Sequence, residues 1–107
     1  MIKQFRKGSR VPAVEEFVQD ENYYKRIDNN EQRMLYEVTS PSGTKYYEVV
    51  EHGHCYKNTQ FKSKSIMEGE EMYPMDEDFG KWAWCWNTLE RAKQCFNYRR
   101  PKSVLVE

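Results

Sequence analysis

The sequence predicts an α+β domain: an antiparallel sheet of about four strands, a C-terminal helix packed on one face, and a short N-terminal helix. Three observations carry this. Residues 79–86 alternate with a period of two and run straight into a helix start at Asn87. Residues 32–39 and 44–51 are alternating segments joined by Ser40-Pro41-Ser42-Gly43, where Pro presets the first central φ and Gly takes the place needing positive φ. The chain of 107 residues has the length of one domain, 1–107, and no internal repeat divides it.

Residues 1–10 carry Lys3, Arg6, Lys7 and Arg10 without an acid, which reads as a flexible basic arm, either solvated or resting on phosphate. Pro12 suits the first position of a short helix. Val14, Phe17 and Val18 would be its apolar side, with Glu15 and Glu16 at the end where the helix dipole favours acids. Residues 22–27, NYYKRI, are strand-like and stop at the turn Asp28-Asn29-Asn30. Met34, Tyr36 and Val38 then alternate with Arg33, Leu35 and Glu37, so three meandering strands cover 22–51.

From His52 to Met75 the pattern weakens. A short strand over Phe61–Met67 is followed by a solvated loop with six acids in the eleven residues from Glu68 to Asp78. The chain recovers in the last unit. Trp82, Trp84 and Trp86 share one strand face, with Ala83 and Cys85 on the other. Asn87 is positioned to cap the helix 88–98, with Glu90 three residues on as in a capping box. Leu89, Ala92 and Phe96 form the helix stripe, with Cys95 beside it. Three indoles in water would make an apolar patch unusual for a soluble monomer. The helix is therefore expected over them, with Leu89 and Phe96 on at least two and Trp84 the most buried. An exposed indole ladder would instead be a binding surface.

Composition bounds the function. The hydrophobic share is 38% and the mean hydropathy −1.02, but 15% of residues are aromatic. Each such ring can bury about 150–250 Å², enough to build a core. The 17 basic and 17 acidic residues cancel, so nothing draws the whole chain to nucleic acid or anionic lipid. Cys55, Cys85 and Cys95 cannot all pair, and no apolar run exceeds the five residues Trp82–Trp86. The reading is a cytoplasmic protein with free, packed thiols and no membrane segment.

The YEV-type hairpin at Tyr36–Val38 and Tyr46–Val50, the acidic Phe-Gly-Trp stretch Asp76–Trp86 and the TLERA helix Thr88–Phe96 resemble small proteins of Bacteroidetes phages and mobile elements. That resemblance implies an accessory or host-interaction role and carries over no activity and no site residue.

Few constellations carry chemistry. His52, His54 and Cys55 place soft and borderline ligands within four residues, and the two imidazoles share a face if extended. A closed zinc site needs a second ligand pair, and Cys85 and Cys95 lack the short spacing, so no metal or other cofactor is assigned. Cys85 and Cys95 fall on packing faces, and Cys55 is too near His54 in sequence to form a preorganised pair. No phosphate-cradling glycine loop and no nucleophile elbow is present. The reading is non-enzymatic.

The favoured function is a protein-interaction module, because Tyr, Trp and Arg are the usual interface anchors. Tyr23, Tyr36, Tyr46 and Tyr47, with Arg26 and Arg33, are its candidate contact residues on the uncovered sheet face. The alternatives are single-stranded nucleic-acid binding, with the rings stacking bases while Lys25, Arg26, Arg33 and Lys45 hold phosphates, and a scaffold or virion-associated role. The tyrosines also suit a bland role as half-buried strand residues with wet hydroxyls. Partner identity, strand order and oligomeric state are not legible at this level.

Overall fold

The computed structural model describes residues 2–57 and 66–98. Its framework is one sheet of six strands that lie side by side in chain order: β1 (Lys3–Phe5), β2 (Glu16–Gln19), β3 (Asn22–Asn29), β4 (Arg33–Thr39), β5 (Lys45–Glu51) and β6 (Ala83–Trp86). β1 runs parallel to β2, and every other neighbouring pair is antiparallel. The one α-helix among the described residues, α1 (Leu89–Asn97), follows β6 and packs back on β4, β5 and β6.

The α+β class and the C-terminal helix hold, and three finer expectations do not. The sheet has six strands rather than four, its first pair is parallel, and no N-terminal helix forms. The segment starting at Pro12 is extended. Ala13 N–H donates to the Glu71 carbonyl and Tyr73 N–H to the Val11 carbonyl, both at 2.9 Å, and Pro12 bridges to Met72. These contacts across about 60 residues outweigh the local helix preference of Pro-Ala-Val-Glu-Glu, because propensity is a weak prior against tertiary pairing. The basic arm is likewise partly ordered, since Lys3–Phe5 pairs with Phe17–Gln19.

β2 and β3 meet in a two-residue turn, Asp20-Glu21, with φ of 52° and 67°. Tight hairpins favour this double left-handed turn because its twist matches the strands, but Asn-Gly is its usual signature. The β4–β5 hairpin closes as expected on Ser40–Gly43, with Ser40 N–H donating to Thr44 and Gly43 N–H to Ser40, both at 2.9 Å. The strand expected over Phe61–Met67 lies largely outside the described residues.

The two sheet faces have separate cores. Leu35 and Val49 meet Ala92 and Phe96 of α1, flanked by Trp84, Trp86, Leu89, Tyr47 and Cys95. On the other face Phe17, Met34, Tyr36, Val50, Trp82 and Ala83 pack under Val11 and Tyr73. Segments 11–13, 54–56 and 69–73 cover this second core by pairing with one another: Met72 N–H donates to His54 and Tyr56 N–H to Glu70, each at 2.8 Å.

The indole ladder is broken between these cores. Gly80 adopts φ of 91°, and Lys81 and Trp82 N–H both donate back to the Asp78 carbonyl, so the chain is still turning at Trp82. The strand period begins only at Ala83. Trp84 and Trp86 face α1, whereas Trp82 enters the opposite core and stacks on His54 at 4.3 Å. The helix does lie over two indoles, but the most buried is Trp82, at 8% exposure, and not Trp84. The helix cap is Thr88, whose hydroxyl accepts from Arg91 N–H at 3.3 Å, rather than Asn87. Cys85, expected on a packing face, is exposed.

Candidate functional site

Two concavities stand out, one on each face. The first is a groove of about 800 Å³ where β6 meets the end of α1, walled by Trp84, Trp86, Cys95 and Tyr98. Arg33, at the start of β4, forms its base. The turn before it is held by Asn30, whose Oδ1 accepts from Gln32 and Arg33 N–H at 2.9 and 2.8 Å, while its Nδ2 donates to the Phe96 carbonyl at 3.2 Å. Arg33 Nη1 then donates to the Cys95 carbonyl at 2.7 Å and to the Tyr98 carbonyl. The last turn of α1 has no basic residue of its own, so Arg33 supplies the cation that this end of the helix dipole favours. Its guanidinium lies 5.3 Å from the Trp84 ring and 5.7 Å from that of Tyr98. Two N–H groups here are closed off from solvent: Arg33 Nε has no acceptor among the described residues, and Trp86 Nε1 lies against the Cys95 thiol, opposing the rise that burial causes in the thiol's pKa.

The second is a cavity of about 490 Å³ on the opposite face, with Glu48 in its floor. Tyr24, Tyr46, Tyr73 and Phe79 contribute rings, and Lys7, Asp20, Asp76 and Glu77 contribute charge. Glu48 sits in mid-β5 between Tyr36 and Cys85 in the register, which places it inside the sheet instead of on a wet edge. Its Oε1 accepts from the Tyr73 hydroxyl, and it is only 7% exposed. Burial pushes its pKa up to about 7, with Asp76 adding to the rise and the Tyr73 hydrogen bond opposing it. The same burial and the nearby carboxylate drive the Tyr73 hydroxyl well above its usual range.

The candidate contact residues do not share a face. Tyr23 and Tyr47 lie on the side of the sheet that carries α1, where the Glu16 carboxylate accepts the Tyr23 hydroxyl and pushes its pKa up to about 12. Tyr36 is fully buried, its hydroxyl donating to the Val14 carbonyl at 2.7 Å, so it belongs to the core. Tyr46 faces the Glu48 cavity, and Arg26 is on that side too, its Nη1 3.5 Å from Met34 Sδ. Arg33 is buried at the base of the groove. Tyr46 and Tyr47 are adjacent in β5, so strand alternation puts them on opposite faces and the expected single tyrosine face does not exist. What stayed illegible was which face α1 would take. The four cations proposed for phosphate are split in the same way, and Lys45 is engaged with Glu37 at 3.4 Å.

His52, His54 and Cys55 do not converge. His52 bonds Glu71 at 2.9 Å and Asn29 at 2.6 Å, His54 bonds Glu51 at 3.1 Å, and the Cys55 side chain is exposed. Among the described residues no group of three or more His, Cys, Asp and Glu is arranged to hold a metal ion. Cys85 lies opposite Glu48 and its residue is exposed, but partial desolvation of the thiol and that carboxylate raise its pKa, the reverse of activating a nucleophile. Sequence reasoning missed Glu48 and Tyr73 as site residues, and reached Trp86 only through the alternative of an exposed indole ladder. An acid among β-branched neighbours in Tyr-Glu-Val-Val was the one available signal.

Comparison with known proteins adds no relative: no family model, no curated protein and no solved structure matches this chain. Among the described residues no helix is long and apolar enough to cross a membrane.

Proposed function

We propose that the chain is a non-enzymatic protein-interaction module whose contact surface is the groove between β6 and α1. One observation carries this: two part-exposed indoles, a tyrosine and a buried arginine converge on an apolar recess. Trp, Tyr and Arg are the residues that dominate interface energetics when they line a dry pocket. The occupant is thus a segment of another protein that inserts an apolar side chain between the rings of Trp84, Trp86 and Tyr98. This surface replaces the tyrosine face. The resemblance to phage and mobile-element proteins supplies the setting, an accessory or host-interaction role.

The test is a displayed-peptide selection on the whole protein, followed by binding measurements on two variants. Enriched peptides should shift the indole emission and lose at least about tenfold in affinity on Trp84→Ala. Trp86→Phe, which keeps a smaller ring in the groove wall, should weaken binding by roughly three- to tenfold through lost contact area. Peptides that bind both variants as tightly as wild type would place the contact elsewhere. Binding of single-stranded oligonucleotides with a steep salt dependence would favour the nucleic-acid reading.

A further inference from the structure

The Glu48 cavity lies on the face away from the groove, and the interaction module does not use it. Its walls are aromatic: Tyr24 and Tyr73 meet nearly at right angles, at 74° with centroids 5.3 Å apart, and Tyr46 and Phe79 complete the lining. Its charge is one-sided. Asp20, Glu48, Asp76 and Glu77 face a single cation, Lys7, which is itself paired with Asp20 at 4.0 Å. The Glu48 carboxyl is more than nine-tenths buried, and only its Oε1 is engaged, by Tyr73. The side chain lines both this cavity and the shallower recess beside Cys85. Rings present a negative face, and a cation over one within about 6 Å gains most where water is excluded. A carboxylate beneath such rings adds a charge-assisted contact.

We infer that this cavity is a binding site for an organic cation of the alkylammonium type, caged by Tyr24, Tyr46 and Tyr73 and neutralised by Glu48. An inorganic cation would need several converging oxygens, which the tyrosine walls do not offer. A neutral ligand would leave the negative charge of the ionised carboxyl uncompensated. The acids Asp76 and Glu77 at the mouth favour entry of positive charge and repel anions.

The groups facing Glu48 set the pH behaviour. These are Tyr73, Asp76 and Glu77 from the covering segment, Tyr24 from β3, Tyr36 from β4, Tyr46 from its own strand, Cys85 from β6 and Lys7 from the N-terminal turn. Burial raises the pKa of all four tyrosines and of Cys85, so these stay neutral where Glu48 ionises. Cation affinity is therefore expected to rise by roughly five- to tenfold between about pH 6 and about pH 8 as Glu48 gains its charge.

The experiment titrates the whole protein with choline and with its neutral carbon isostere, 3,3-dimethyl-1-butanol, reading tyrosine ring resonances by NMR. Choline should give saturable shifts at Tyr24 and Tyr46, and the isostere should bind at least about tenfold more weakly. A peptide carrying trimethyllysine, run in parallel, tells a head group on a side chain from a free small molecule. Saturable binding of either supports the cage. Glu48→Gln, with folding checked by its melting curve, should weaken choline at least about tenfold and abolish the pH dependence. Should that variant not fold, Asp76→Asn/Glu77→Gln decides, with an expected loss of about threefold. Equal affinity for the isostere, no saturable shift, or variants that bind like wild type would each overturn the assignment.

Discussion

On the face that carries α1, Arg33 is 5% exposed and holds its charge among the terminal carbonyls of the helix and two aromatic rings. On the opposite face Glu48 is 7% exposed and has one tyrosine hydroxyl. These are the buried charged side chains of the described residues, and they are compensated unequally. Carbonyls fixed by a helix end are already oriented toward a cation, so the Arg33 guanidinium finds acceptors in place and serves as a clamp. A lone hydroxyl cannot replace the water that a carboxylate loses, so Glu48 takes up a proton instead. One face therefore spends its charge on structure, and the other keeps a group poised to change state.

The contrast can be broken most strongly at the aromatic core. Phe17 is fully buried and touches the rings of Phe5, Tyr24, Tyr36 and Tyr73. Phe17→Ala is expected to lower stability by about 3–5 kcal/mol in urea unfolding, whereas Trp84→Ala, at a half-exposed groove, should lose only about 1–2. Equal losses would mean that the indole groove is core and not a surface.

A pH series sharpens the difference in charge. The folded pKa of Glu48, about 7, lies above its ordinary value of 4.5. Between those values the native chain holds a proton that the unfolded chain has released. Its contribution to stability is thus complete below pH 4.5 and is lost as pH rises through 7. Wild type should lose on the order of 2–3 kcal/mol across that window from this group, and Glu48→Gln should flatten the slope. Glu71 and Asp78, whose pKa values are lowered by hydrogen bonds and neighbouring cations, act with the opposite sign and only in more acidic solution. A wild-type stability curve that does not fall in this window would remove Glu48's special status.

The smallest expected effect concerns how α1 is seated on its face. Thr88→Ala should destabilise by about 0.5–1 kcal/mol, near the low end for caps because the bond is long and exposed. Asn87→Ala should leave the melting curve unchanged. The reverse ranking would restore Asn87 as the cap.

How far the sequence reached follows from the range of the interactions involved. The β4–β5 hairpin, the strand-to-helix unit at the C-terminus and the α+β class were legible because each rests on residues close in the chain. Alternation, a Pro-Gly turn and an amphipathic stripe are local signals. Cap assignment missed by one residue, since Asn87 and Thr88 are both competent and only the entry angle of the chain chooses between them. Tertiary structure alone decided three matters. The extended course of 11–13 depends on partners near residue 72. The Asp20-Glu21 turn has the backbone of a tight hairpin without its usual residues. The split of the tryptophans depends on where Gly80 lets the strand begin. The two candidate sites belong to this second class. Arg33 meets residues more than 60 positions away, and Glu48 meets Tyr73 across 25, so no local pattern records either encounter. Alternation tells which side chains share a face, whereas what covers that face depends on the free energy of the whole packed chain.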